Sequence, residues 1–98
     1  MAKYTNITTS GSSTVLIAKS NKSGGAIKKI NISNNSSNPA TVIVDLYDGT
    51  TVFYICKNVI IPTGAVLVLE DNVSFDIKKY NLRIYNTGTS PDLTVTIK

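Results

Sequence analysis

The sequence predicts an all-β protein, a single-domain antiparallel β-sandwich of seven to nine short strands. Three observations carry that expectation. Runs of alternating apolar and polar residues fill the chain from Ser13 to its last residue. Gly, Pro, Asn, Asp and Ser interrupt them every eight to twelve positions or so. No apolar pattern of helical period competes with them. A chain of 98 residues with 42% hydrophobic content forms one core between two sheets and leaves no room for a separate catalytic module.

Residues 1–12 are polar and small, with Tyr4 and Ile7 as their sizeable anchors, and read as a flexible N-terminal arm ahead of a sandwich domain at 13–98. Thr14-Val15-Leu16-Ile17-Ala18 follows as a short strand, and Lys19-Ser20-Asn21-Lys22-Ser23-Gly24-Gly25 as a loop. In 26–33, Ile30 and Ile32 alternate inward while Ile27 is out of phase. A bulge at Lys28-Lys29, adding one residue, restores its aim. The run 34–39 is a loop closed by Pro39.

The clearest unit joins 41–47 to 50–56 through Asp48-Gly49. Asp-Gly between two alternating runs is a strong hairpin signal, because a two-residue turn needs positive φ at both central positions. Asn58-Val59-Ile60-Ile61 then enters a Pro62-Thr63-Gly64 turn. Ala65-Val66-Leu67-Val68-Leu69 is apolar on both faces, which suits a strand central in the sandwich or covered by a partner. A short strand at 73–76, another at 80–85 with Leu82 and Ile84 inward, and a last one at 92–97 with Leu93, Val95 and Ile97 inward complete the series. The expected inner faces hold Val15, Ile17, Ile30, Ile32, Val42, Val44, Leu46, Val66, Val68, Leu82, Ile84, Leu93, Val95 and Ile97. With tight connections and no crossover helix, the sandwich is of jelly-roll or Ig-like type.

The composition argues against chemistry. There is no histidine and a single cysteine, so the commonest general base, the commonest metal ligand and any disulfide framework are missing. Cys56, inside an apolar run, reads as a small buried hydrophobe. Glu70, Asp71 and Asp76 cluster near one turn but lack the spacing of a calcium loop, and read as strand-end charges. Asn-X-Ser/Thr triplets at Asn6, Asn31, Asn34, Asn35 and Asn72 read as solvated polar positions. No enzyme activity, cofactor or metal is therefore expected. The start of the chain lacks the apolar stretch of a signal peptide and no run is long enough to span a bilayer, so the expectation is synthesis in a cytoplasm, without export and without a membrane partner.

Net charge is +4, unevenly spread: the first third is basic, the middle acidic and the end basic again. Such a split field suits docking on an acidic surface or on a second copy, while lysines along strands also discourage edge-to-edge aggregation. Basic and aromatic residues interleave in 78–85, but a single arginine leaves little for phosphate forks, so nucleic acid is not an expected partner.

The order of short motifs from Ile30 to Leu82 resembles small structural proteins of tailed bacteriophages, especially those of marine bacteria. The motifs are Ile30-Asn31-Ile32-Ser33-Asn34, the 41–47 strand, Ile60-Ile61-Pro62-Thr63-Gly64-Ala65, Leu67-Val68-Leu69-Glu70-Asp71-Asn72, and Phe75-Asp76 with Tyr80-Asn81-Leu82. The lysine-rich start has no counterpart in them. The resemblance implies a virion component on the capsid exterior, a decoration or cement protein that binds the major capsid protein, copies of itself, or both. Head-completion, tail and fibre-tip proteins are the neighbouring roles, and a stand-alone carbohydrate-binding sandwich is the competing class. On that reading the assembly contacts are Tyr4 and Ile7 in the arm, with Val66, Leu67 and Leu69 near the joint.

Overall fold

The structure, a computed structural model, describes residues 3–20, 27–70 and 75–98. All regular structure among them is strand: β1 (Lys3–Ile7), β2 (Ser13–Ile17), β3 (Lys29–Asn34), β4 (Ala40–Tyr47), β5 (Val52–Ile61), β6 (Val66–Glu70), β7 (Asn81–Gly88) and β8 (Leu93–Ile97). They form two four-stranded antiparallel sheets, one in the order β1-β8-β3-β6 and the other β2-β7-β4-β5.

The pairings show how the sheets arise. β4 pairs with β5, β3 with β6, β2 with β7 and β1 with β8, so the chain is one long hairpin folded back at residues 48–51. Rolling that double ribbon until β3 meets β8 and β4 meets β7 closes it. The product is a jelly roll, as the β-sandwich expectation allowed. Every connection except the β4–β5 loop passes from one sheet to the other, so each strand's apolar side lands in a common core. That core contains Ile7, Leu16, Ile27, Ile30, Ile32, Val42, Val44, Ile61, Leu82, Ile84, Leu93, Val95 and Ile97.

The hairpin forms, but with a wider turn than a two-residue Asp-Gly. Tyr47 pairs with Val52, leaving four residues in the loop. Only Gly49 has positive φ, at 104°, a conformation that needs no Cβ. Asp48 instead caps the loop: its Oδ1 accepts the N–H groups of Thr50 at 2.8 Å and Thr51 at 2.7 Å. These two bonds favour the ionised carboxylate and hold Asp48 below the ordinary carboxylate range.

The segments expected at 50–56 and 58–61 are a single ten-residue strand, β5. It stays paired with the shorter β4 through two register shifts, one of them beside Asn58, whose φ of 55° is tolerated by an asparagine side chain. The bulge expected at Lys28-Lys29 is present: both N–H groups donate to the carbonyl of Lys98, at 2.8 and 3.2 Å, and Ile27 is turned into the core.

Three readings at sheet edges differ from the structure. Within the arm expected at 1–12, residues 3–7 form the edge strand β1 in register with β8, and Ile7 is a core residue. Its single buried side chain is what made it read as an arm. In β2 the inward residue is Leu16, 1% exposed, while Val15 is 48% exposed. A register shift between Val15 and Ile17 lets Leu16 and Ile17 both pack toward the core. In β6 the phase is reversed: Leu67 and Leu69 pack inward and Val66 and Val68 face out. β6 is therefore an edge strand, not a central one. Of the 73–76 strand, 73 and 74 lie outside the described residues, and Phe75 packs against the core without strand pairing.

Candidate functional site

Among the described residues seven large hydrophobic side chains are exposed: Tyr4, Val15, Phe53, Tyr54, Ile60, Val66 and Val68. Every one lies on an edge strand, β1, β2, β5 or β6, and none on the central strands β8, β3, β7 and β4. The short 62–65 connection joins β5 to β6 along one flank of the sandwich. That flank presents Phe53, Tyr54 and Ile60 from one sheet and Val66 and Val68 from the other. The opposite flank, β1 and β2, presents Tyr4 and Val15. The β5 and β6 edges thus carry five of these seven side chains and the β1 and β2 edges two.

The five residues expected to make assembly contacts do not come together. Tyr4, 70% exposed, is on one edge of its sheet and Val66, 53% exposed, on the other. Ile7 is buried in the core, and Leu67 and Leu69 are half-buried against it, so all three contribute to the fold. Of the exposed residues, Tyr4 and Val66 were expected contacts, whereas Val15, Phe53, Tyr54, Ile60 and Val68 are outward residues that sequence reasoning missed. Val68 was placed inside by the wrong phase of β6, and Ile60 sits beyond the β5 bulge, which resets the alternation.

The outer face of the second sheet carries a polar pair instead of an open platform. Val15, Arg83, Asp45 and Tyr54 lie side by side across β2, β7, β4 and β5. Arg83 Nε donates to Asp45 Oδ1 at 2.8 Å, and its guanidinium carbon is 4.1 Å from the Tyr47 ring centroid. Asp45 is thus buried beneath its own neighbours. Lys57 Nζ covers the Tyr54 ring at 4.7 Å, and Tyr80 meets Phe53 edge-on at 5.7 Å with Lys79 Nζ 5.6 Å away.

The remaining charges fall mostly at one end of the sandwich. Odd-numbered strands begin there and even-numbered strands stop there, so Lys3, Lys19, Lys28, Lys78, Lys79 and Lys98 emerge together. The basic–acidic–basic division of the sequence does not survive folding: Lys29 Nζ lies 3.4 Å from Glu70, and Asp45 is held by Arg83. Asp71 lies outside the described residues, and among those described no group of three His, Cys, Asp or Glu residues is placed to hold a metal ion. Cys56 is half-buried against the core, and burial pushes its thiol above the ordinary value.

The opposite end carries the loops 8–12, 35–39, 62–65 and 89–92, with Asp92 as their one charge. Asn34, read from sequence as solvated, is buried there and holds the loops together. Its Nδ2 donates to the carbonyls of Asn38 and Ile61, both at 2.9 Å, and its Oδ1 accepts Ser36 N–H at 3.0 Å and Ser36 Oγ–H at 2.7 Å. Asn38 Nδ2 reaches the Thr89 carbonyl at 3.1 Å, and Asn86, also buried, donates to the Thr9 carbonyl at 2.8 Å. No family model matches this chain, and no curated protein or solved structure matches it either.

Proposed function

We propose that the chain is a non-enzymatic structural component of a bacteriophage particle, a decoration protein seated on the outside of the head and bound to the capsid through its flanks. The observation that carries this reading is that, among the described residues, every exposed large hydrophobic side chain lies on one of the four edge strands. A protein of this kind acts by adding buried area and hydrogen bonds across a joint, which needs apolar edges and no reacting group. The motif order from Ile30 to Leu82 supplies the resemblance to phage structural proteins.

A sugar-binding module is less well supported, because it would need aromatic faces open to a pyranose ring. Tyr47 is stacked by Arg83, Tyr54 by Lys57, and Tyr80 is engaged by Phe53 and Lys79. Mass spectrometry of purified phage particles tests the proposal: the chain is expected in many copies per head, and its absence from intact particles would refute it. Deleting residues 1–12 is a poor test, since it removes β1 and Ile7 from the fold. Ile60→Ser combined with Val68→Ser removes two outward side chains from the β5–β6 flank and is expected to leave the fold intact while weakening attachment by about tenfold or more.

A further inference from the structure

We infer that the lysine-bearing end of the sandwich adds a second contact to that of the apolar flanks by docking on an acidic protein surface, an inference that rests on the particle-bound reading above. The six exposed lysines, Lys3, Lys19, Lys28, Lys78, Lys79 and Lys98, come from both sheets and from widely separated parts of the chain. Backbone bonds gather them: Ser20 N–H donates to Ile77 O at 2.8 Å, and Lys28 N–H to Lys98 O at 2.8 Å. Lys19 is thereby brought beside the 77–79 turn, and Lys28 beside the C-terminal residue.

The described acids at this end are engaged locally. Asp48 caps its own loop, Asp76 Oδ1 accepts the N–H of Lys78 at 3.0 Å, and Glu70 pairs with Lys29. Among the described residues these three carboxylates are outnumbered by the six exposed lysines and Lys29, so the end presents a net positive field that steers association with an anionic partner. A second copy of the chain does not fit as that partner. Among the described residues Asp45 is sequestered by Arg83, and the opposite end carries Asp92 alone, so no acidic patch exists to receive the lysines.

Nucleic acid fits less well than acidic protein. The one arginine is committed to Asp45 and Tyr47, leaving no guanidinium fork for phosphate. Of the two aromatics adjacent in sequence to these lysines, Tyr80 already has Lys79 over its ring and Phe53 at close range, and Tyr4, 70% exposed, is a single ring, which gives no platform for successive bases.

The test has two arms. Amine-reactive labelling of lysines, read by mass spectrometry on the free chain and on chain bound to particles, is expected to show Lys19, Lys78 and Lys79 protected by binding. Unchanged labelling of these three in bound chain overturns the inference while leaving the particle reading intact; absence of the chain from particles overturns the particle reading and leaves the second arm to decide. In that arm the chain is bound to poly-L-glutamate, a short DNA duplex, and phosphatidylcholine–phosphatidylserine vesicles. Retention on poly-L-glutamate should fall about tenfold in Lys19→Glu with Lys79→Glu and stay near wild type in Lys57→Glu. An equal loss in Lys57→Glu, which would reflect net charge alone, overturns the inference. So does tighter binding to the duplex or to the vesicles than to poly-L-glutamate.

Discussion

The two ends of the sandwich are both polar, yet they use polar groups in opposite ways. At the neutral end Asn34, Asn38 and Asn86 turn their side chains inward and satisfy the backbone of neighbouring loops. At the other end the lysines turn outward and the carboxylates of Asp48 and Asp76 cap only their own turns. The chemistry of the side chains explains the division. An amide offers two donors and an acceptor without charge, so it replaces water for a buried loop at little desolvation cost; an ammonium has donors only and is kept in water by the cost of burying it. One end is therefore built to hold the fold and the other is left free to meet a partner.

That contrast can be broken first at Asn34. Asn34→Ala leaves the Ile61 carbonyl and the Ser36 N–H without their partner, and is expected to cost about 2–3 kcal/mol in urea unfolding. Asn86→Ala sharpens the comparison: its Nδ2 makes one bond, to Thr9, and its buried Oδ1 has no partner, so the expected loss is smaller, about 1 kcal/mol. A cost for Asn86→Ala equal to that for Asn34→Ala would mean that burial, not hydrogen bonding, sets the stability of this end.

At the charged end the expected effects are weaker and depend on pH. Asp48 is depressed in the folded chain, so its stabilisation is fully present above its unfolded pKa and is lost as pH falls through the folded value. Melting curves of the wild type and Asp48→Ala should differ at neutral pH and converge in acid, below about pH 4. A constant difference across that range would show that the carboxylate does not cap the loop. Smallest of all, Lys19→Glu with Lys79→Glu should change stability by no more than about 0.5 kcal/mol, because both side chains are exposed.

How much of this was legible in the sequence follows from where each strand sits. β3, β4, β7 and β8 are central strands with one face on the core, and their strict alternation placed Ile32, Val44, Ile84 and Val95 correctly. Edge strands obey a weaker rule. β1 buries only Ile7, β2 breaks its alternation at a register shift, and β6 is apolar on both faces, so alternation alone could not choose its phase. The candidate surface suffered most, because Tyr54, Ile60 and Val68 stand outward only once bulges and edges are known. The Asp45–Arg83 pair and the gathering of lysines are products of the rolled hairpin. They join residues remote in sequence, and nothing local marks them.

The central claim is that, of the sandwich's two polar ends, one holds the fold and the other adds to the attachment made by the apolar flanks. Its most direct test compares the Lys19→Glu, Lys79→Glu double variant with Asn34→Ala, measuring for each the melting temperature and the attachment to purified phage heads per folded molecule. The account predicts a crossed result: the lysine variant melts like wild type and attaches poorly, while the asparagine variant melts early and attaches normally. Attachment that simply follows stability in both variants, or that is unaffected by the lysine changes, would contradict it.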